Sequence, residues 1–439
     1  MPDLVDNELN LKVGREKALL ALVLKQGEDP TLQVEELGAL ADSAGADIVD
    51  VLVQHRDKPS VRGYFGKGKV EEVKDAAKAY LVDLVIVGGQ LSPSQLAFLE
   101  DALDCKVIDR NQLILDLFAQ RAKSGEGRLQ VSLAQLKYSL PRLKGLGEML
   151  SRLGGGIGTR GPGETKLEVG RRQVRDQINR LEQKLAELEA TRANKRQQRL
   201  ESGLFLISLV GYTNSGKSTL FNALTGSDLY ADDRLFATLD PTTRILKLAS
   251  GRTVLITDTV GFLRDLPHQL VAAFHSTLEE TLHADLLLHV VDISNPDFPS
   301  QQSAVSKTLK ELGAGELPIV TLFNKLDALE GDERRELVAT LPGDGLATLF
   351  ISAKTGEGLD RLLALLDREA SASHRLWQLT VPYARLGLLE QAREQMEILS
   401  EEYGQEGGVF IVKASQSLIA ALPREVERVE VEPGAEGGT

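Results

Sequence analysis

Gly211-Tyr-Thr-Asn-Ser-Gly216-Lys217-Ser218 directly follows the apolar run Leu204–Val210 (LFLISLV) and leads into helix-forming sequence, Ser218–Leu224 (STLFNAL). These eight residues fit G-x(4)-G-K-[ST], a phosphate-binding loop between a strand and a helix. The glycines let the backbone turn so that its N–H groups, and the N-terminus of the next helix, face phosphate oxygens. Gly211, Tyr212, Thr213, Asn214, Ser215 and Gly216 then form the cradle, while Lys217 reaches the β- and γ-phosphates and Ser218 holds Mg²⁺. A strand feeding such a loop belongs to a doubly wound α/β sheet, which binds its ligands beyond the carboxyl ends of the strands.

The sequence around the loop repeats that logic. Apolar strands at Val254–Thr257, Leu286–Asp292, Ile319–Phe323 and Thr348–Ile351 alternate with helical stretches, so residues 201–370 read as a five-stranded nucleotide-binding domain. Asp258-Thr259-Val260-Gly261 ends the second strand. A carboxylate at Asp258 can hold the water shell of Mg²⁺, and the Gly261 N–H can follow a γ-phosphate that disappears on hydrolysis. Asn324-Lys325-Leu326-Asp327 ends the fourth strand, PIVTLF. The Asp327 carboxylate can accept from guanine's N1–H and exocyclic amine, a donor pair adenine lacks on that edge, so the nucleotide is read as GTP. Ser352-Ala353-Lys354 ends the fifth strand and is placed to give a backbone N–H to the base oxygen. Each short pattern is weak alone; four in order, each at a strand's carboxyl end, are specific.

The rest of the chain divides by composition. Residues 1–120 carry apolar strands at 18–24, 48–53, 84–88 and 106–108 around helical sequence such as Val70–Tyr80, and read as a small α/β domain. Phe65-Gly-Lys-Gly-Lys69 reads as a turn entering that helix rather than a second phosphate loop. Residues 121–200 are polar and helical, with 18 Lys and Arg against 8 Asp and Glu in a chain whose net charge is −13. Within them Val174, Ile178, Leu181, Leu185 and Leu188 recur at alternating spacings of four and three, the seam of a helix packed on one partner, for which Val131–Leu150 supplies apolar residues. Between lies GGGIGTRGPG, Gly154–Gly163, with six glycines in ten residues. A basic helical hairpin with a glycine-rich tip follows, where Arg152, Arg160, Lys166, Arg171 and Arg172 can meet phosphates or stack on bases. Residues 371–439 read as a small C-terminal α/β module: strand-like Gln378–Val381, a helix near Leu386–Tyr403, a strand at Val409–Lys413 and a disordered tail, EPGAEGGT.

Composition excludes several classes. Cys105 is the only cysteine, so no disulfide framework or cysteine metal cluster exists, and it is expected to be a core thiol. The six histidines are scattered without metal spacing. Apolar runs such as Ala18–Leu24 are seven residues long, far short of the roughly 18 that span a bilayer. With an acidic start (Asp3, Asp6, Glu8) unlike a secretory signal, the chain reads as cytoplasmic.

Residues 204–369 resemble a translation-factor-type GTP-binding domain. In such domains a mobile segment between the phosphate loop and the D-x-x-G element supplies a threonine to Mg²⁺ and the γ-phosphate. Here that segment is LFATLDPTTR, Leu235–Arg244, which resembles the switch of the HflX family. The resemblance places Phe236, Ala237, Thr238, Leu239 and Asp240 along the nucleotide and gives the metal-binding role to Thr238, with Thr242 second. It extends to GGGIGTRGPGETKLEVGRR (Gly154–Arg172), QLKYSLPRLKG (Gln135–Gly145) and FGKGKVEEV (Phe65–Val73), and so covers nearly the whole chain. HflX proteins are ribosome-associated GTPases that bind the large subunit near its peptidyl-transferase region and, in some bacteria, split stalled ribosomes; the resemblance implies the same here, by one copy of a monomer. Lys217, Thr238 and Gly261 would then carry hydrolysis, with Ser218 and Thr238 on Mg²⁺. Asn214 resembles the asparagine that holds K⁺ in potassium-stimulated GTPases. Phe262 follows D-T-V-G where many GTPases have a water-orienting glutamine, so slow intrinsic hydrolysis and an orienting group from the ribosome are expected. Two rivals stand beside this reading. One is a GTP-dependent switch acting on a regulatory protein or protease through the hairpin, which the basic glycine tip disfavours. The other is a GTP-powered RNA-modifying enzyme, for which no further catalytic base or nucleophile is visible.

Overall fold

The computed structural model describes residues 15–142, 162–201, 204–227, 236, 238, 240–264, 281–341, 347–372, 374–387, 396–415, 418–419, 422–423 and 425–431. The Gly154–Gly161 part of the glycine-rich tip, Arg152, Arg160 and the tail from Glu432 lie outside them, as do Leu235, Ala237 and Leu239. The chain forms two compact units: the described parts of Met1–Gln120 with Val131–Ile178, and Arg121–Gln130 with the described parts of Asn179–Thr439. The 121–200 segment expected as a separate body is thus shared between them.

In the first unit the order is β1 (Glu16–Leu24), α1 (Thr31–Ser43), β2 (Ala46–His55), α2 (Lys67–Tyr80), β3 (Leu84–Val87), α3 (Pro93–Leu103), β4 (Lys106–Asp109) and α4 (Arg110–Arg121), followed by α5 (Gly125–Ser139), which belongs to this unit from Val131 on and to the second unit before it. The sheet is parallel, ordered β2-β1-β3-β4. The two central strands, β1 and β3, are apolar runs because parallel strands are covered on both faces. Helix α3 starts where Ser92 and Gln95 cap each other and Pro93 supplies a fixed φ. Gly66 caps α2 and gives its N–H to Gln54, so FGKGK is the helix-entry turn expected. Cys105 is half-buried at the rim of this core rather than inside it, and burial raises its thiol pKa.

Asp109, 1% exposed at the end of β4, ties the unit together. Its carboxylate accepts from the Leu91 and Gln112 N–H groups at 2.9 Å, from the Tyr138 hydroxyl, and from Arg142 at 3.2 Å. Burial, and this carboxylate beside it, hold the Tyr138 phenol well above its usual pKa. The Arg142 guanidinium lies 3.4 Å from the Tyr138 ring centre.

Helix α6 (Pro162–Glu201) is 40 residues long and begins inside the stretch expected as loop, with proline at its start, a position proline tolerates. Along its described face Ile178 is buried and Val174, Leu181, Leu185 and Leu188 are half-buried between exposed neighbours, which is the seam read from the spacing.

The second unit continues with β5 (Phe205–Gly211), α7 (Lys217–Thr225), β6 (Thr242–Lys247), β7 (Thr253–Asp258), β8 (Leu286–Asp292), α8 (Phe298–Leu312), β9 (Ile319–Asn324), α9 (Gly331–Thr340), β10 (Ala347–Phe350) and α10 (Leu359–Ala372). Its sheet has six strands, ordered β10-β9-β8-β5-β7-β6. The strand not expected, β6, runs antiparallel to β7 at the edge. Its sequence, TTRILK, has no apolar run because one face is exposed, Ile245 to 60%.

Beyond it β11 (His374–Pro382), β12 (Glu397–Tyr403), β13 (Gly407–Ser415) and β14 (Glu427–Val431) form an antiparallel sheet, ordered β12-β13-β11-β14. The helix expected to reach Tyr403 is corrected here, since Glu397–Tyr403 is an edge strand on β13; residues 388–395 lie outside the described set. Glu, Leu and Ser at exposed edge positions favour no strand by themselves; the ladder to β13 decides it. Among the described residues no helix is long and apolar enough to cross a membrane, and no group of His, Cys, Asp and Glu could hold a metal.

Removing the Asp109 carboxylate leaves three buried donors and an arginine without their acceptor. Asp109→Ala is expected to lower stability in equilibrium urea denaturation by about 3 kcal/mol, the usual loss for one partner of a buried charged network.

Candidate functional site

The site lies at the carboxyl ends of β5, β7, β8 and β9. In the β5–β7 register Leu209 stands opposite Asp258, which brings the end of β7 beside the phosphate loop. Gly211 has φ +155°, and a Cβ there would collide with the Val290 carbonyl, so only glycine opens the loop. Gly216 caps α7, and Asn214 at φ 61° turns the loop with its side chain exposed. The Thr213 N–H donates to the Phe262 carbonyl at 2.8 Å and the Phe262 N–H to the Gly211 carbonyl at 3.0 Å, clamping the D-T-V-G segment to the loop. A Cβ on Gly261 would sit 2.8 Å from Thr213 Cα and 3.1 Å from Lys217 Nζ.

Lys217 is buried, and its ammonium donates to the carbonyls of Gly211 (3.2 Å) and Tyr212 (2.8 Å). Burial pulls its pKa down to about 8, against the opposing pull of Asp258. Asp258 is 0% exposed, and burial raises its pKa despite Lys217 and two hydroxyl donors. Those donors are Ser218 Oγ at 2.7 Å and Thr238 Oγ1 at 2.9 Å, which are themselves 2.8 Å apart. Three oxygens of separate segments thus converge on one point, and among the described residues Asp258 Oδ1 is buried there with no hydrogen-bond partner. A hard divalent cation takes such a set of hydroxyl and carboxylate oxygens. Thr242, the second choice for this role, lies in β6 with its backbone opposite Asp258.

On the base side, Asn324 donates through Nδ2 to the Ser215 carbonyl and accepts the Ala353 N–H through Oδ1, both at 2.9 Å. Of the Ser352–Lys354 backbone amides, one of which was expected to face the base oxygen, that of Ala353 is bonded to Asn324. Ser352 Oγ donates to Asp327 Oδ1 at 2.6 Å and accepts the Thr355 N–H, so the serine steadies the carboxylate expected from sequence to read the base. Lys325, at φ 65°, pairs with Asp292 at 2.7 Å; Leu326 is buried beneath it, and Lys354 is exposed. Asp292 was not singled out from sequence, although it ends an apolar strand on the same edge as the other site residues.

Some expected lining residues turn elsewhere. Thr259 is buried and donates its hydroxyl to the Leu209 carbonyl, and Val260 is buried. The Tyr212 hydroxyl accepts the Arg264 N–H, and Phe236 is buried at φ 58°. Phe262 is 1% exposed, with its ring in the interior. Asp240 binds Lys123 and Ser124 instead of facing the phosphate loop. Of the basic tip, Arg171 and Arg172 are within the described residues, on α6.

The sequence pattern of the 50S ribosome-binding GTPases matches residues 206–325. Those of the GTP-binding GTPase N-terminal and middle regions match 31–119 and 121–199. A GTPase HflX of Caldanaerobacter subterraneus subsp. tengcongensis is 49% identical over 393 residues, 90% of this chain and 90% of that protein. Its counterpart from Lacrimispora saccharolytica is 45% identical over 404 residues, 92% of this chain and 94% of that one. The GTPase HflX of Escherichia coli is 40% identical over 406 residues, again 92% and 94%.

With the Lys217 pKa near 8, the ammonium that attracts phosphate is lost as pH rises through that value. GTP affinity measured by calorimetry on nucleotide-free protein is expected to weaken several-fold from pH 7 to pH 9, a slope that Lys217→Ala abolishes.

Proposed function

Because the chain belongs to the HflX family of GTPases, we propose that it binds the large ribosomal subunit in its GTP state and couples hydrolysis to ribosome dissociation or the rescue of stalled ribosomes. The convergence of Ser218, Thr238 and Asp258 carries the GTPase half of this reading. The 50S ribosome-binding pattern over 206–325 and the local excess of positive charge over 121–200 support the ribosomal half.

In the reaction, Gly211–Gly216 hold the phosphates through backbone N–H groups, and Lys217 places its charge on the β- and γ-oxygens. The Gly261 N–H meets the γ-phosphate. Ser218 and Thr238 would hold Mg²⁺, with Asp258 behind them; when bound, the ion neutralises charge that develops between the β- and γ-phosphates. Asp327, steadied by Ser352, selects guanine, and Asn324 ties that base site to the phosphate loop. Thr238 follows the γ-phosphate, so the Leu235–Arg244 and Asp258–Leu266 segments report the nucleotide state. Asn214 is assigned to a K⁺ beside the phosphates, which spreads charge as an arginine finger does. Phe262, its ring turned inward, orients no water, and the ribosome supplies that function. The protein acts in the cytoplasm as a monomer, with residues 1–120 and the basic segment 121–200 docking on ribosomal RNA and 371–439 as an accessory module.

The deciding experiment is steady-state GTP hydrolysis with and without purified large subunits, with Lys217→Ala to exclude contaminating GTPases. Strong stimulation that weakens steeply with salt is expected, since each neutralised phosphate releases counterions. A flat rate, with no subunit binding in the presence of a GTP analogue, would sink the ribosomal reading. Phe262→Gln is expected not to raise the stimulated rate, and hydrolysis in K⁺ should exceed that in Na⁺ at equal ionic strength.

A further inference from the structure

Helix α5 begins with a cap of unusual origin. Ser124 is its N-cap residue: the Ser124 carbonyl accepts the first helical bond, from Arg128 N–H at 3.1 Å, and its Oγ accepts the Gly127 N–H at 2.8 Å. The same hydroxyl donates its proton to Asp240 Oδ1, while Asp240 Oδ2 accepts the backbone N–H groups of Ser124 (2.7 Å) and Lys123 (3.1 Å). One carboxylate, reached across more than a hundred residues of sequence, therefore closes the start of α5. It lies at the positive end of the helix dipole, where a negative charge is stabilised. Gly127 makes the approach possible, because a Cβ there would collide with Asp240 Oδ1 and crowd Ser124 Oγ at 3.0 Å.

Asp240 stands two residues after Thr238, whose hydroxyl sits on Ser218 and Asp258. Two residues span at most about 7 Å, so holding the Asp240 carboxylate confines the region from which Thr238 reaches the metal oxygens. The other anchor of this stretch, β6, begins at Thr242 and is pinned to β7. Thr238 thus hangs between the nucleotide site on one side and two fixed points, Asp240 and β6, on the other.

We infer that Ser124 is a positioning residue for GTP hydrolysis: it holds Asp240, and through Asp240 it sets Thr238 over the metal site. The inference rests on the reading of Thr238 as a metal-holding residue. Its consequence is that α5 senses the γ-phosphate. Whatever draws Thr238 out of place strains the cap of α5, and a load on α5 is felt at Thr238, since such coupling is reciprocal.

The test compares Ser124→Ala, Gly127→Ala, Asp240→Ala and the Ser124→Ala/Asp240→Ala double variant with the parent and with Thr238→Ala, all in the full chain. Gly127→Ala displaces Asp240 while leaving its charge and the Ser124 hydroxyl in place. The readouts are the Kd of GDP, the Kd of a non-hydrolysable GTP analogue, the Mg²⁺ concentration for half-maximal hydrolysis, and the melting temperature. Thr238 serves the γ-phosphate state alone, so the preference for the GTP analogue over GDP should fall about fivefold in each single variant, the loss of one capping hydrogen bond. GDP affinity should stay at the parental value, the Mg²⁺ requirement should rise, and the melting temperature should fall by no more than the few degrees that a lost helix cap costs, to a similar extent with and without nucleotide. In the double variant the losses should not add, because the two residues act on one path. A fall in Thr238→Ala with none in the other variants, or losses that add fully, would overturn the inference and leave the reading of Thr238 standing. No fall in Thr238→Ala would overturn that reading and the inference with it.

Discussion

A carboxylate with no access to water organises the nucleotide site. Asp258 ends β7 at 0% exposure, where an unpaired charge is expensive, and two segments converge to satisfy it: the phosphate loop, through the Lys217 charge and the Ser218 hydroxyl, and the stretch that carries the Thr238 hydroxyl. Each comes from a different part of the chain, so the cost of burying Asp258 is offset only when the phosphate loop and the switch segment are both in place. One oxygen, Oδ1, has no hydrogen-bond partner among the described residues, and the donor set suits a cation there. The geometry that tolerates a buried charge gathers oxygens of the kind a hard divalent cation takes.

The second half of the site depends on the first through Asn324. Its side chain bridges the Ser215 carbonyl in the phosphate loop and the Ala353 N–H in the base loop, so the distance between phosphate and base subsites is set inside the protein. Ser352, from the same base loop, steadies Asp327. Lys325 is held by Asp292 from the neighbouring strand β8. The placement of Asp327, Lys325 and Ser352 therefore rests on strand order, β8-β9-β10, as much as on their local sequence.

Asp109 plays the corresponding part in the first unit. It gathers the β4 end, the Leu91 turn and the last turn of α5 around one buried carboxylate, and Arg142 completes the cluster. Helix α5 is thus held at both ends by carboxylates: Asp240 at its first residues and Asp109 near its last. Asp240 lies 116 residues from Ser124, and Asp109 lies 29 residues from Tyr138.

Periodicity and local chemistry made much of this legible. The phosphate loop, D-T-V-G, N-K-L-D and S-A-K each follow an apolar strand, and buried parallel strands must be apolar on both faces, so the doubly wound sheet and its binding edge were readable from sequence. The α6 seam was readable because helical spacing maps directly onto burial. What sequence did not settle were features created by partners far along the chain. Edge strands β6 and β12 carry no apolar run, since a ladder on one side and water on the other forms them. Thr259 and Phe262 face the interior, and Asp240 the start of α5, because side-chain direction at a strand's end is fixed by packing rather than by residue type. The sequence determined which chemistry is present and on which edge of the sheet it lies. The tertiary structure alone decided which oxygens meet, because hydrogen bonds between residues a hundred positions apart leave no periodic trace in the chain.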